Sequence, residues 1–324
     1  MFQWPEPASC RFDKKNPVYY KYKKNKTAPS AIKINKIEKF FSQKYKAKYA
    51  VLFPSGRAAI NVTLKFHNFN RSKTVNVPLW TSSCLLHALT SITNVTVKDK
   101  KADCNIVVHK WGNTFKVNKY LNKNQLIIDD SADCLPNKKY KPFVSNTSYE
   151  ILSLPKLIGS FCGGIVLTKN KRFYLYCKKI QKKNLVLSKK QSERKFISSF
   201  KDNNNFDWRF YESLNTSVDF NSVENVFNCL ENFNLNLNTI LRRQHLIKKK
   251  FKDITLDPQR VGPCLIFDKK KYKKFSRFLE SKNFDFTKKI LNEKYKECLI
   301  FPIHFGIPEN LFQTKFLELL NAHK

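Results

Sequence analysis

Glycine is scarce, with 7 residues in 324 against an ordinary share of about 7%. That excludes collagen-like and glycine-rich low-complexity architectures, and it makes each surviving glycine a marker of backbone that no side chain could occupy. Acidic residues are also few, 25 Asp and Glu against 61 Lys and Arg. The nine cysteines are odd in number, evenly scattered and never spaced Cys-x-x-Cys, so neither a disulfide framework nor a zinc cluster is indicated. No apolar run reaches the roughly 18 residues a spanning helix needs. The start, Met1-Phe2-Gln3-Trp4-Pro5-Glu6-Pro7, lacks a basic stretch followed by an apolar one. A reduced, cytoplasmic protein is the expectation.

What is present argues for a folded enzyme-sized chain. Apolar residues make up 42%, with 28 Phe and 13 Tyr, which excludes disorder from low hydrophobicity despite the charge. The length suits two domains, or one large α/β domain with an appendage. A net charge of +36 favours anionic partners such as nucleic acid, phosphorylated metabolites or an acidic membrane surface. The whole chain is skewed toward Lys, Asn, Phe and Ile, as a compositional drift of an entire proteome would produce, so the charge alone does not specify a function.

Residues 1–30 are rich in Pro and Lys without periodicity and read as an N-terminal arm. Ile32, Ile34, Ile37, Phe40, Phe41 and Tyr45 are then spaced as one face of a helix. Short apolar runs follow at Tyr49–Phe53, Thr74–Val77, Asn105–Val108, Gln125–Ile128 and Ile165–Leu167. Buried strands separated by crossover lengths predict a three-layer α/β fold, a mostly parallel central sheet with helices on both faces. Weakened patterning and Lys-Lys pairs between Lys169 and Asn205 place a boundary there, giving a large domain over 31–205. Over 206–324 the pattern predicts a long helix, Val223–Phe251, and a small C-terminal α/β domain: strand Val261–Phe267, helix Lys269–Ser281, strand Cys298–Ile303 and helix Leu311–Ala322.

The glycines fall where open α/β sheets bind ligands, at strand ends. Gly159, Gly163 and Gly164 follow Ser153-Leu154-Pro155-Lys156; Gly56 follows the first strand, and Gly112 follows Val108-His109. Pro54-Ser55-Gly56-Arg57-Ala58-Ala59 is a strand-to-helix turn suited to a phosphate, although read alone it is first an ordinary helix start capped by Ser55. Asp129, Asp130 and Asp133 follow a buried strand, as catalytic carboxylates or as caps of a loop. Lys156 lies between the apolar run Ile151, Leu152, Leu154 and the glycine cluster, where desolvation would make its amine nucleophilic. A phosphate turn, a strand-end aspartate and such a lysine together describe a pyridoxal 5'-phosphate (PLP) site.

The same pieces, in this order, resemble the DegT/StrS family of PLP-dependent nucleotide-sugar aminotransferases, of fold type I. Pro54-Ser55-Gly56-Arg57-Ala58-Ala59 is similar to the family's S-G-[TR]-A-A turn, and Val77-Pro78-Leu79-Trp80-Thr81 to V-P-x-x-T. Val108-His109-Lys110-Trp111-Gly112 is similar to V-H-x-x-G, and Ile128-Asp129-Asp130-Ser131-Ala132 to I-E-D-A-A. Ser153-Leu154-Pro155-Lys156 with Gly163-Gly164 is similar to S-x-x-K and G-G, and Phe301-Pro302-Ile303-His304 to the C-terminal L-P-[IL]-H.

The resemblance implies that Lys156 forms the imine with the cofactor and shuttles the proton, and that Asp130 partners the pyridine nitrogen. It implies phosphate contacts from Gly56, Arg57 and Ala58, a hydroxyl contact from Ser153, and ring stacking by Trp80, since Ser82 stands where the family has its aromatic. Asp133 stands where the family has a Gln near the cofactor's phenolic oxygen, and Cys162 replaces an acid before the paired glycines. The implied substrates are a nucleotide-linked keto sugar and an amino-acid donor, glutamate being the one expected, in amino-sugar or surface-polysaccharide biosynthesis. The implied assembly is a homodimer whose active sites are shared, with segments after Asn205 reaching the partner's site and the lysines of 178–195 and 246–252 facing outward. The retained lysine argues against the related dehydratases. A basic polyanion- or nucleic-acid-binding protein is the competing class, though no zinc finger, RNP-type motif or Arg-rich arm accompanies the charge. His109 and His304 read as structural histidines, and Arg242-Arg243-Gln244-His245 as a solvated helix face.

Overall fold

The computed structural model describes residues 30–79, 81–97, 99, 101–115, 125–160, 162–184, 218, 220–252, 254–268, 286–287 and 298–323. The arm, Trp80 and the helix expected at Lys269–Ser281 lie outside the described residues.

Helix α1 (Ala31–Lys44) begins at Ser30, whose Oγ accepts the Lys33 N–H at 3.4 Å, and it buries Ile34, Ile37 and Phe41. It leads into β1 (Tyr49–Phe53), α2 (Gly56–Phe66), β2 (Thr74–Val77), α3 (Ser83–Thr90), β3 (Asn94–Val97) and β4 (Cys104–Val108). Then come β5 (Leu126–Asp130), the short β6 (Leu135–Pro136), β7 (Tyr149–Ser153), α4 (Leu154–Ile158), β8 (Gly164–Thr168) and α5 (Lys171–Asn184).

Seven of these strands form one sheet in the order β1-β8-β7-β5-β4-β2-β3. Pairing is parallel from β7 across to β3, while β8 runs antiparallel to both neighbours, Leu52↔Ile165 on one side and Leu152↔Ile165 on the other. Successive side chains of a strand point to opposite faces, and both faces are apolar. Val51, Phe53, Ile151 and Val166 pack with Ala58, Val62, Leu85, Leu89, Phe173 and Cys177 of α2, α3 and α5. Ala50, Leu52, Leu152, Ile165 and Leu167 pack with α1 and with C-terminal side chains from Val223 to Leu319. Burial on both faces is why these strands read as continuous apolar runs.

The C-terminal part departs from expectation in three places. The long helix is two helices, α6 (Phe220–Glu231) and α7 (Phe233–Lys250), broken at Asn232, which leaves helical backbone at φ −95° and ψ 9°. The expected strand Val261–Phe267 is divided at Gly262-Pro263 into β9 (Arg260–Val261), paired with β6, and β10 (Cys264–Asp268), because proline cannot donate to a ladder. β10 joins β12 (Cys298–Pro302) and β11 (Phe286–Thr287) in a three-stranded antiparallel sheet, and α8 (Glu309–His323) closes the chain.

The third departure is Arg243, expected on a solvated face and instead buried at 2% exposure. Its guanidinium donates to the carbonyls of His304 (2.6 Å) and Ile307 (2.8 Å), pairs with Glu309 (2.8 Å) and stacks over Phe312. Those carbonyls lie where the backbone turns before α8, and a fork of several donors reaches both together with Glu309. Two of the lysines expected to face outward are also engaged: Lys178 pairs with the buried Glu38 at 2.8 Å, and Lys248 donates to the carbonyls of Lys252 and Ile254 at the end of α7.

Candidate active site

The turn after β1 starts the site. Ser55 is extended (φ −158°) and caps α2, its Oγ accepting the Ala58 N–H at 3.1 Å. The chain before β8 crosses directly over this turn: the Gly163 N–H donates to the Pro54 carbonyl at 2.8 Å, and Gly163 bridges to Ser55. Gly163 takes φ +109°, and a Cβ on Gly164 would lie 2.3 Å from the Gly56 N and the Ser55 carbonyl carbon. The glycine pair therefore exists because backbone passes against backbone at the turn. Gly56 itself has ordinary space, the nearest atom to an added Cβ being the Leu152 carbonyl at 3.5 Å. Arg57 follows it, half-buried at the positive end of the helix.

The neighbouring strand end carries the carboxylates. Asp129, fully buried, lies with Oδ1 at 3.1 Å from His109 Nε2 and accepts the Ser145 N–H at 3.2 Å. His109 Nδ1 accepts the Phe115 N–H at 3.1 Å, which leaves Nε2 to carry the ring proton toward Asp129. Asp129 is thus held against His109 and the Ser145 N–H. Asp130 differs: it accepts the Ala132 N–H at 3.1 Å, and burial pushes its carboxyl up to about 6, against the pull of Lys156 and with the help of Asp133.

Beyond β7, α4 is a short helix with Pro155 in its first turn and Gly159 ending it in the left-handed region at φ +71°. Lys156 projects from it with 29% of its side chain exposed, Nζ lying 3.9 Å from Asp133 Oδ2. Asp133 is buried, and its other oxygen accepts the Trp111 N–H at 3.0 Å. Ser153 occupies the capping position of α4 without a side-chain cap bond, close to Gly56. The structure therefore brings together the turn, Asp130, Asp133, Ser153 and Lys156 at one end of the sheet. Trp80, expected to stack, lies outside the described residues.

Three participants escaped the sequence reading. Trp111 holds φ +52°, unusual for a bulky residue, and that twist aims its N–H at Asp133. Glu150 on β7 and Arg260 on β9 form an ion pair at 3.0 Å with both side chains fully buried. Glu150 also accepts from Ser131 Oγ (2.6 Å), Tyr140 OH and the Phe143 N–H (2.9 Å), so the residue after Asp130 is tied to the C-terminal segment. Gly262, one of the seven glycines, was the available clue to this crossing. Among the described residues, no group of three or more His, Cys, Asp or Glu could hold a metal ion, and no helix is long and apolar enough to cross a membrane.

The mostly parallel sheet and its flanking helices have the fold of the PLP-dependent enzymes of fold type I. A sequence profile of the family described as "Putative PLP-dependent aminotransferase" matches residues 37–321, and the chain belongs to that family. Its cofactor is accordingly PLP, and its fold is that of the DegT/DnrJ/EryC1/StrS aminotransferases. A DegT DnrJ EryC1 StrS aminotransferase from Brucella abortus superposes with a TM-score of 0.64 at 12% identity, over 91% of each chain. DesV from S. venezuelae, solved with a ketimine intermediate, gives 0.63 at 12% identity over 93% of this chain and 92% of its own. The GDP-4-keto-6-deoxy-D-mannose-3-dehydratase of E. coli, with hydrated PLP bound, gives 0.62 at 16% identity over 92% and 93%. No curated protein matches the sequence.

Proposed function

We propose that the protein aminates the keto group of a nucleotide-linked sugar, taking the amino group from an amino acid, glutamate in our reading. The observation that carries this is the convergence of Lys156 on the carboxylates beside the Ser55 turn. The residues fit the cofactor in charge and kind: a buried carboxylate with an elevated proton affinity suits a protonated ring nitrogen, a partly exposed lysine suits an aldehyde, and a helix start suits a phosphate. When bound, PLP supplies an aldehyde that amines join covalently and a ring that takes up electrons.

In this reading Lys156 provides the amine that holds the cofactor and afterwards carries the proton between donor and acceptor carbons. Asp130 keeps the ring nitrogen protonated through a charge-assisted bond. Gly56, Arg57 and Ala58 bind the phosphate, Ser153 adds a hydroxyl, and Trp80 covers the ring. Retention of a lysine at position 156 separates amination from dehydration. The enzyme works as a cytoplasmic homodimer with shared sites, and its +36 charge draws in the anionic sugar diphosphate, so that substrate binding weakens with salt.

The test is direct. Purified protein given PLP should absorb near ~420 nm through its lysine–cofactor bond, and borohydride should fix the cofactor on Lys156. Lys156→Ala should lose the band and the transfer of amino groups to nucleotide-linked keto sugars. Labelling of a different lysine would overturn the site, and tight salt-sensitive RNA binding without cofactor uptake would overturn the function.

A further inference from the structure

Resting on that reading of Lys156, we infer that Asp133 is the counter-ion of the lysine nitrogen, holding its positive charge both in the cofactor-free protein and after the nitrogen has joined the cofactor. The geometry is asymmetric in a useful way. One oxygen of Asp133 is fixed by the Trp111 N–H at 3.0 Å, and the other faces Lys156 Nζ at 3.9 Å. The anchoring bond comes from a backbone held at positive φ, so the carboxylate is aimed by the fold and does not wander with a flexible partner.

A carboxylate this close favours whichever form of its neighbour is positive. Joining the cofactor's aldehyde to the Lys156 amine forms a C=N bond and expels one water, whose oxygen comes from the aldehyde and whose two hydrogens come from the amine. A further proton on that nitrogen leaves it positive, and Asp133 offsets that charge just as it offsets the ammonium before. The other ionisable groups of this cluster are Asp130 at the end of β5, which Lys156, Asp133 and His109 all influence, and Cys134 beside Asp133, which the Glu150–Arg260 pair influences in turn. These side chains remain when Asp133 alone is replaced, and the one coupled effect, a fall in the Asp130 carboxyl that Asp133 helps to raise, favours the positive lysine and so opposes the shift expected from losing the Asp133 charge.

Asp133→Asn and Asp133→Gln keep an oxygen that can accept the Trp111 N–H and remove the charge, which separates the counter-ion role from the anchoring role. Two measurements test the inference. In the cofactor-free protein, the pH dependence of acetic anhydride labelling of Lys156, read by mass spectrometry, should move down by at least ~1 unit in both neutral variants. In the loaded protein, the pH at which the yellow band gives way to the shorter-wavelength form should also fall by at least ~1 unit, with Asp133→Glu restoring most of it. Unchanged labelling and unchanged spectral pH in either folded neutral variant would overturn the inference while leaving Lys156 as the attachment site. Borohydride trapping elsewhere would overturn the underlying reading instead, and the labelling result would still decide whether the ion pair exists.

Discussion

Gly112 and Gly262 cross backbone against backbone: a Cβ on Gly112 would stand 2.1 Å from the Gly262 N, and one on Gly262 would stand 2.0 Å from the Trp111 carbonyl oxygen. No side-chain rearrangement can relieve a clash between main chains. Gly262→Ala should therefore cost about 3 kcal/mol or more and displace Trp111 from Asp133. Gly56→Ala, which meets nothing closer than 3.5 Å, should change stability by less than ~1 kcal/mol, since only helix-start backbone preferences are altered. Denaturant titration of the two variants checks the contrast, and equal losses would refute it.

The Glu150–Arg260 pair sits in the same crossing. Both side chains are fully buried, and Arg260 lies over the Tyr140 ring while Glu150 receives Ser131, Tyr140 and the Phe143 N–H. Removing one partner strands the other charge away from water, so Arg260→Met should cost ~3–5 kcal/mol. Replacing both members with apolar residues should recover part of that loss. A double-mutant cycle by thermal and denaturant unfolding gives the coupling, and additive single effects would show that the two charges do not depend on each other.

What could be read in advance follows the strength of the local pattern. β1 was legible to the residue because its run is apolar and buried on both faces, and β2 because its buried valines alternate with the half-buried Thr74 and Asn76. β3 (Asn94–Val97) was not: it is an edge strand whose side chains are half-buried or exposed, so it lacks an apolar run. β7 appeared only as apolar residues before Lys156, because Glu150 interrupts it, and the partner that makes a buried glutamate acceptable lies 110 positions away in sequence. The site was legible where chemistry concentrates in adjacent residues, as at Asp129–Asp133 and Ser153–Lys156. The resemblance already favoured Asp130 over Asp129, and the structure adds that Asp129 lies 3.1 Å from His109 while Asp130 is under the electrostatic influence of Lys156. Arg243 was misread because a helix face of charged residues looks solvated unless the loop it braces is known.

That loop supplies a further prediction. Burial alone would raise the Glu309 carboxyl, but hydrogen bonds from Arg243, Gln313 and Arg242 pull it down to about 2. A depressed carboxyl stabilises the fold above its ordinary range near ~4.5 and loses that contribution as pH falls toward the folded value. Glu309 is partly solvated, so Glu309→Gln should flatten the acid limb of stability only modestly. Arg243→Lys should cost more, about 2 kcal/mol near neutral pH and most of that in acid too, because one ammonium cannot reach the His304 and Ile307 carbonyls together with Glu309 and only the Glu309 part titrates. Melting curves between mild and strong acid separate the two effects.

In the proposed site Asp130 should set the pH dependence of cofactor uptake. Burial raises its carboxyl to about 6 in the cofactor-free protein, the opposing influences being Lys156, the Ala132 N–H and His109. Between the ordinary aspartate value near ~3.9 and that raised value, the folded protein holds a proton that the unfolded chain releases. The cofactor-free protein therefore gains stability from this group as pH falls through about 6, and loses it again as pH rises. A positive ring nitrogen beside Asp130 reverses the preference, because it requires the ionised carboxylate. Binding below about 6 must then expel the proton, so PLP affinity should weaken as pH drops through this window. Asp130→Asn cannot titrate: its affinity should lack that acid limb, and its transaminase activity should fall by at least ~100-fold with loss of the charge-assisted bond. Equilibrium dialysis of PLP across pH, run beside turnover assays, measures both. Wild-type turnover in the variant, or an acid limb that survives the substitution, would remove Asp130 from the site.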